Sequence, residues 1–152
     1  MSLFVDTGVF YAHHDTDASR HTVATEALTR ALGSAGYGHV FTSEYIYDET
    51  VTLTYRRTGH MADAIEVGRR ISGDGYPDAI ELLHPSRRDF RAAIQAFEQY
   101  ADHGLSFTDA MTVALVTQHE IDSVLSFDDD FDGLIDRTPP RVSCDWARLI
   151  SS

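Results

Sequence analysis

Five positions of this chain, Asp128-Asp129-Asp130-Phe131-Asp132, carry four carboxylates, directly after Ser123-Val124-Leu125-Ser126-Phe127. Val124 and Leu125 read as the end of a short buried strand, which places the acids at its C-terminal end, where open α/β sheets set their ligands. Asp6 follows a second short apolar run, Leu3-Phe4-Val5, in the same way. Two such strands side by side bring their acids together. Carboxylates held together repel by roughly 3 kcal/mol per pair at ~5 Å and an effective dielectric of 20, so they call for protons or a divalent cation. Mg²⁺, a hard ion that takes carboxylate oxygens and keeps several waters, suits such a pocket, and Mn²⁺ is chemically close.

Each acid also has a plainer use. Asp6 can start an Asx-turn, Asp109 stands three after Ser106 and can be half of a capping box, Glu49 can border a helix face, and Asp128 to Asp130 can be solvated surface. Asp128, Asp130, Asp132 and Gly133 also match the opening of an EF-hand loop. The twelfth position of that loop, however, is Pro139 where a bidentate Glu is needed, and the segment leading in is strand-like rather than helical.

The elements that must carry these acids alternate between strand and helix. Leu3–Val5 is the first strand, Asp6-Thr7-Gly8 a turn, and Val9–Ala12 a short apolar segment before a polar loop, His13–Ser19. Val23, Ala24, Ala27, Leu28, Ala31 and Leu32 recur at helical spacing up to Gly33. Gly38–Phe41 reads as a strand, and Ser43 caps a helix whose stripe holds Ile46, Thr50 and Leu53. Glu49 borders that stripe and Asp48 points away from it. Met61–Ile71 is a helix and Ala79–Leu83 a strand. Ser86 with Asp89 has capping-box spacing for a helix carrying Phe90, Ile94 and Phe97. Ser106 starts another with Met111, Ala114 and Leu115 inward, before Ser123–Leu125 and a last strand near Val142. This alternation favours a mainly parallel sheet with helices on both faces, in one domain spanning 1–152.

The chain has 152 residues and a formal charge of −12, with 24 acidic residues against 12 basic ones, all of them Arg. A surface this acidic repels itself at low salt, a balance found in halophilic proteins. It leaves phosphate contacts to bound metal and to local Arg clusters: Arg56-Arg57, Arg69-Arg70 and Arg87-Arg88-Arg91. No apolar run reaches the ~20 residues needed to span a bilayer. Cys144 is the single cysteine, which excludes an internal disulfide and a cysteine zinc site and suits a reducing cytoplasm.

Leu-Phe-Val-Asp-Thr at the N-terminus, Thr-Ser-Glu-Tyr-Ile-Tyr-Asp-Glu, Ser-Phe-Thr-Asp-Ala and Leu-Ser-Phe-Asp-Asp-Asp-Phe together resemble, in order and approximate spacing, the PIN-domain nucleases, and above all the VapC-type toxin ribonucleases of toxin–antitoxin pairs. The resemblance implies a PIN-like three-layer α/β/α sandwich with a central, mainly parallel sheet. It places the family's four acids on Asp6, Glu49, Asp109 and Asp128, with Asp130 as a less uniform fifth. Thr7 and Ser126 fall on hydroxyl positions beside the site. Asp15–His21 matches a family segment in which His21 reads as structural. Phe127 stands where a polar residue is common, and Asp48 leaves a one-residue ambiguity beside Glu49.

The activity implied is a Mg²⁺- or Mn²⁺-dependent endoribonuclease. Asp6 and Asp109 ligate the metal, Asp128 supports it or a second ion, and Glu49 holds or deprotonates the attacking water. The partners implied are an RNA substrate, a protein antitoxin lying along the helices at Ile46–Arg57 and Met61–Ile71, and a second copy in a homodimer to which Tyr45, Tyr47 and Tyr55 contribute unless they are core. Two other readings stay open: an RNA-processing PIN nuclease without an antitoxin, and a non-catalytic metal- or RNA-binding module of this fold.

Overall fold

The computed structural model describes residues 1–33, 38–74 and 80–141. In chain order these form β1 (Ser2–Val5), α1 (Thr7–His14), α2 (His21–Leu32), β2 (His39–Ser43), α3 (Glu44–Thr58), α4 (Met61–Arg69), β3 (Ile80–Leu83), α5 (Arg87–Gln99), α6 (Phe107–Gln118), β4 (Ser123–Leu125) and β5 (Arg137–Thr138). A π-helical turn, Arg70–Asp74, extends α4, and 3-10 turns occupy Ala101–His103 and Asp129–Phe131.

All four strand pairings are parallel, and the order across the sheet is β3-β2-β1-β4-β5. The chain therefore builds outward from β1 through β2 to β3, then returns to the other side of β1 for β4 and β5. The reversal lies between β1 and β4, the kind of topological switch point at which α/β sheets open a crevice. Helices flank this sheet in the α/β/α arrangement expected of the fold, and α5 packs chiefly on α6 while α1, α2, α3 and α4 pack on one another. Leu3, Phe4, Val5, Val124 and Leu125 are buried at the centre, as a parallel sheet covered on both faces requires. Among the described residues no helix is long and apolar enough to cross a membrane.

One local expectation needs correction. The turn at Asp6-Thr7-Gly8 and the loop from His13 are instead the start and end of α1, which runs from Thr7 to His14. Thr7, Val9, Phe10, Tyr11 and Ala12 are all buried, so this helix shows no polar face and no amphipathic period to read. On α5 the apolar residues Phe90, Ile94 and Phe97 stand at the surface, while Ala93, Ala96 and Asp89 face inward. The last described strand is Arg137–Thr138, before Pro139; Val142 lies outside the described residues.

The capping readings fit the helices found. Ser43 Oγ accepts the Ile46 amide, and both Ser86–Asp89 and Ser106–Asp109 form reciprocal capping boxes.

Candidate active site

β1 and β4 set the centre of the site. Val5 pairs with Leu125 in register, and the Asp6 amide donates to Leu125 O at 3.1 Å. Asp6 and Ser126 are thus the next residues out of two adjacent parallel strands, and their side chains meet: Ser126 Oγ donates to Asp6 Oδ2 at 2.6 Å. The same Oγ accepts the Asp128 amide at 3.0 Å, so one hydroxyl fixes two acids of different strands. Asp6 occupies the N-cap position of α1 but makes no side-chain capping bond there. The Asx-turn reading of Asp6 therefore fails, and its carboxylate is turned to the sheet edge.

Asp109 arrives from the first turn of α6. Its capping bonds with Ser106, at 3.2 and 3.1 Å, hold it in place, so its capping use and its place in the site coexist. Glu49 comes from the second turn of α3, half-buried, and shares a surface hollow with Thr108, the neighbour of Asp109. Asp48 is exposed and lines the same hollow, whereas it is the Glu49 charge that acts on both Asp6 and Asp109.

Electrostatics ties the four together. Asp6 is buried, and desolvation pushes its carboxyl up to about 7, with Asp109 and Glu49 adding to the rise and the Ser126 hydroxyl and Thr7 amide opposing it. Burial likewise raises Asp109, and the charges of Glu49 and Asp128 raise it further. Among the described residues none of the four is ion-paired to an Arg or His. Thr7 Oγ1, beside Asp6, is buried with no hydrogen-bond partner among them. Asp6 is buried and Asp109, Glu49 and Asp128 are half-buried, and such a set of hard oxygen donors is chemically fitted to a divalent ion.

The acids of the loop after β4 form a second, tighter group. Asp128, Asp129 and Asp130 bring carboxylate oxygens within 4.8 Å of one another, a set able to hold a metal. Asp128 Oδ1 accepts the Asp130 amide at 2.9 Å, and the charge of Asp128 raises the Asp130 carboxyl. Asp132 turns away, gripped by Arg137 at 2.8 and 3.1 Å. With a strand leading in and Asp132 committed elsewhere, the EF-hand arrangement is absent from this loop.

His21 is structural in its contacts: its Nδ1 donates to Ala12 O at 2.9 Å and ties the start of α2 to α1. Asp15 accepts the Tyr11 hydroxyl at 2.8 Å. One neighbour of the site carries no signal in the sequence. Arg20 lies over the ring of Phe127, 107 positions later, with its guanidinium carbon 4.6 Å from the ring centre.

The model of the PIN domain family matches residues 3–135, nearly all of the described chain. The chain belongs to the PIN domain family. Within it, this PIN domain is 27% identical over 129 residues to the 23S rRNA-specific endonuclease VapC20 of Mycobacterium tuberculosis, covering 85% of this chain and 91% of that protein. A VapC ribonuclease of Archaeoglobus fulgidus is 24% identical over 133 residues, covering 86% of this chain and 80% of its own length. The crystal structure of the M. tuberculosis VapC20, described as a sarcin-ricin-loop-cleaving toxin, superimposes with a TM-score of 0.73 at 25% identity, over 85% of this chain and 92% of that one. A toxin–antitoxin complex from Klebsiella pneumoniae shares the PIN fold at a TM-score of 0.61 and 16% identity, over 92% of this chain and 98% of that one.

Proposed function

We propose that this chain is a divalent-metal-dependent endoribonuclease of the VapC toxin kind, with Asp6, Glu49, Asp109 and Asp128 as its working acids. The observation that carries the reading is the convergence of Asp6 and Asp109, each raised by burial and by the other site acids, at the switch point of the sheet. The VapC relatives supply the substrate class, RNA.

In this reading Asp6 and Asp109 hold a Mg²⁺ or Mn²⁺ ion directly and Asp128 supports it. When bound, that ion lowers the pKa of a water and stabilises charge building on the phosphate oxygens. Ser126 donates to Asp6, which aims the carboxylate and favours its ionised form. Glu49 orients the attacking water or takes its proton. Attack by water rather than by the ribose 2′-hydroxyl leaves a 5′-phosphate and a 3′-hydroxyl. The test is RNA cleavage by the purified chain in concentrated salt with Mg²⁺, with Mn²⁺ and with a chelator. Cleavage that persists in chelator contradicts the reading.

An active ribonuclease endangers its own cell, and a protein antitoxin is the proposed control. Its seat is the groove between α3 and α4, lined by Tyr47, Val51, Tyr55, Met61, Ala64 and Ile65. A basic side chain of such a partner reaching Asp6, Asp109 and Asp128 would compete with the cation through charge-assisted contacts. For the proposed homodimer the α5 face of Phe90, Ile94 and Phe97 is the better candidate. Tyr47 and Tyr55 line the α3–α4 groove, and Tyr45 packs against Phe107 of α6 with ring centres 6.1 Å apart.

A further inference from the structure

Arg20 is an exposed guanidinium in a protein crowded with carboxylates, yet among the described residues it pairs with none of them. Other arginines here do find acids: Arg137 gives its fork to Asp132, and Arg70 donates to Glu66 at 2.8 Å. Arg20 is held instead by a ring. Its guanidinium carbon stacks 4.6 Å from the centre of Phe127, which is half-buried and packs against the core. Beneath the ring lies Gly8, where an added Cβ would come 3.7 Å from Phe127 Cδ2. Phe127 itself stands between Ser126, bonded to Asp6, and the site acid Asp128. The stack therefore sits at the rim of the acid site with the guanidinium N–H donors uncommitted.

An RNA strand entering a cluster of four carboxylates on a chain of charge −12 meets repulsion along its whole backbone. Metal in the pocket answers that repulsion for the scissile phosphate alone. The phosphates on either side need a cation supplied by the protein. We propose that Arg20, braced on Phe127, is a subsite that binds a backbone phosphate of the RNA next to the scissile one. A guanidinium can fork onto two phosphate oxygens while its face stays on an aromatic ring, a combination that a lysine ammonium cannot reproduce. Phe127 acts as a positioning residue, holding the fork toward the strand. The inference rests on the nuclease reading for the identity of its ligand as RNA.

The test measures RNA cleavage across a KCl series for the wild type, Arg20→Ala, Arg20→Lys, Phe127→Leu and Gln118→Glu. Gln118→Glu lowers the net charge by the same one unit at an exposed residue at the far end of α6. Mn²⁺ binding by calorimetry and circular dichroism accompany each variant. Arg20→Ala should raise KM about 10-fold with kcat little changed, and flatten the dependence of log KM on log salt by about 0.7, the slope of one single-strand phosphate contact. Arg20→Lys should keep the salt slope but recover only part of KM. Phe127→Leu should fall between, and Mn²⁺ affinity should hold throughout. An Arg20→Ala enzyme with the wild-type KM and salt slope, or one no worse than Gln118→Glu, overturns the subsite while leaving the nuclease intact. If the wild type binds RNA without cutting it, the same slopes are read from binding. An Arg20-dependent slope then upholds the subsite and overturns the nuclease reading, and a chain that neither binds nor cuts RNA overturns both.

Discussion

The Ser126 hydroxyl donates to Asp6 Oδ2 at 2.6 Å and accepts the Asp128 amide at 3.0 Å, joining the ends of β1 and β4. Ser126→Ala removes the donor that lowers the Asp6 carboxyl and orphans the Asp128 amide. The acid limb of the pH–rate profile should move to higher pH, with activity near neutrality down about 10-fold and partly recovered in alkali, on the scale of one charge-assisted hydrogen bond. An unshifted limb would show that Ser126 does not tune Asp6.

The Asp6 carboxyl, raised to about 7, makes the metal-free protein sensitive to pH. Between the unfolded value near 4 and the folded value near 7, the native state holds a proton that the unfolded chain has lost. Stability contributed below the unfolded value is therefore surrendered as pH rises through this window, by roughly 4 kcal/mol in total. Asp6→Asn, which carries no charge to bury, should match the wild type near pH 4 and melt at a higher temperature at about pH 8 in chelator. Added Mg²⁺ should narrow the gap by stabilising the wild type alone. Thermal melts at the two pH values decide it.

Gly68 of α4 faces α3 closely: a Cβ there would lie 2.9 Å from Tyr47 Oη and 3.0 Å from Val51 Cγ1. Gly68→Ala should cost about 1 kcal/mol and Gly68→Val roughly 3, because Tyr47 can swing outward but Val51 is tethered to its helix. Both variants also prise open the groove proposed for the antitoxin, so partner affinity should fall in the same order. Urea melts and pull-down with the partner measure the two effects.

Phe97 on α5 is 43% exposed and packs edge-on to Phe107 at 5.8 Å between ring centres. With Phe90 and Ile94 it makes an apolar face suited to a second copy. Sedimentation should find the wild type a dimer and Phe97→Asp a monomer with an unchanged circular dichroism spectrum. A monomeric wild type contradicts the dimer.

Much of the fold and part of the site could be read from residues near in sequence. Ser106 and Asp109 announce a helix start by their spacing, and the apolar runs Leu3-Phe4-Val5 before Asp6 and Val124-Leu125 before Ser126 announce strands. What stayed hidden has a physical cause. Helix α1 buries Thr7 and the whole run Val9 to Ala12, so it lacks the apolar–polar period that betrays a helix, and Gly8 near its start weakens its helix propensity further. The bond from Ser126 to Asp6 depends on the β1–β4 register and spans 120 positions. The Arg20–Phe127 stack likewise joins two loops that only the sheet brings together. The apolar stripe of α5 marks a face to be covered without saying whether the core or a partner covers it.

The central claim is that the four acids act as one metal-binding catalytic unit, and a comparison of variants tests it most directly. RNA cleavage and Mn²⁺ binding are measured side by side for Asp6→Asn, Asp109→Asn and Asp132→Asn. The first two should lose cleavage by about 10³-fold or more and bind Mn²⁺ weakly while remaining folded. Asp132→Asn, whose carboxylate serves Arg137 and not the site, should cut within a few-fold of the wild type. Equal losses in all three variants, or full activity in Asp6→Asn or Asp109→Asn, would contradict the claim.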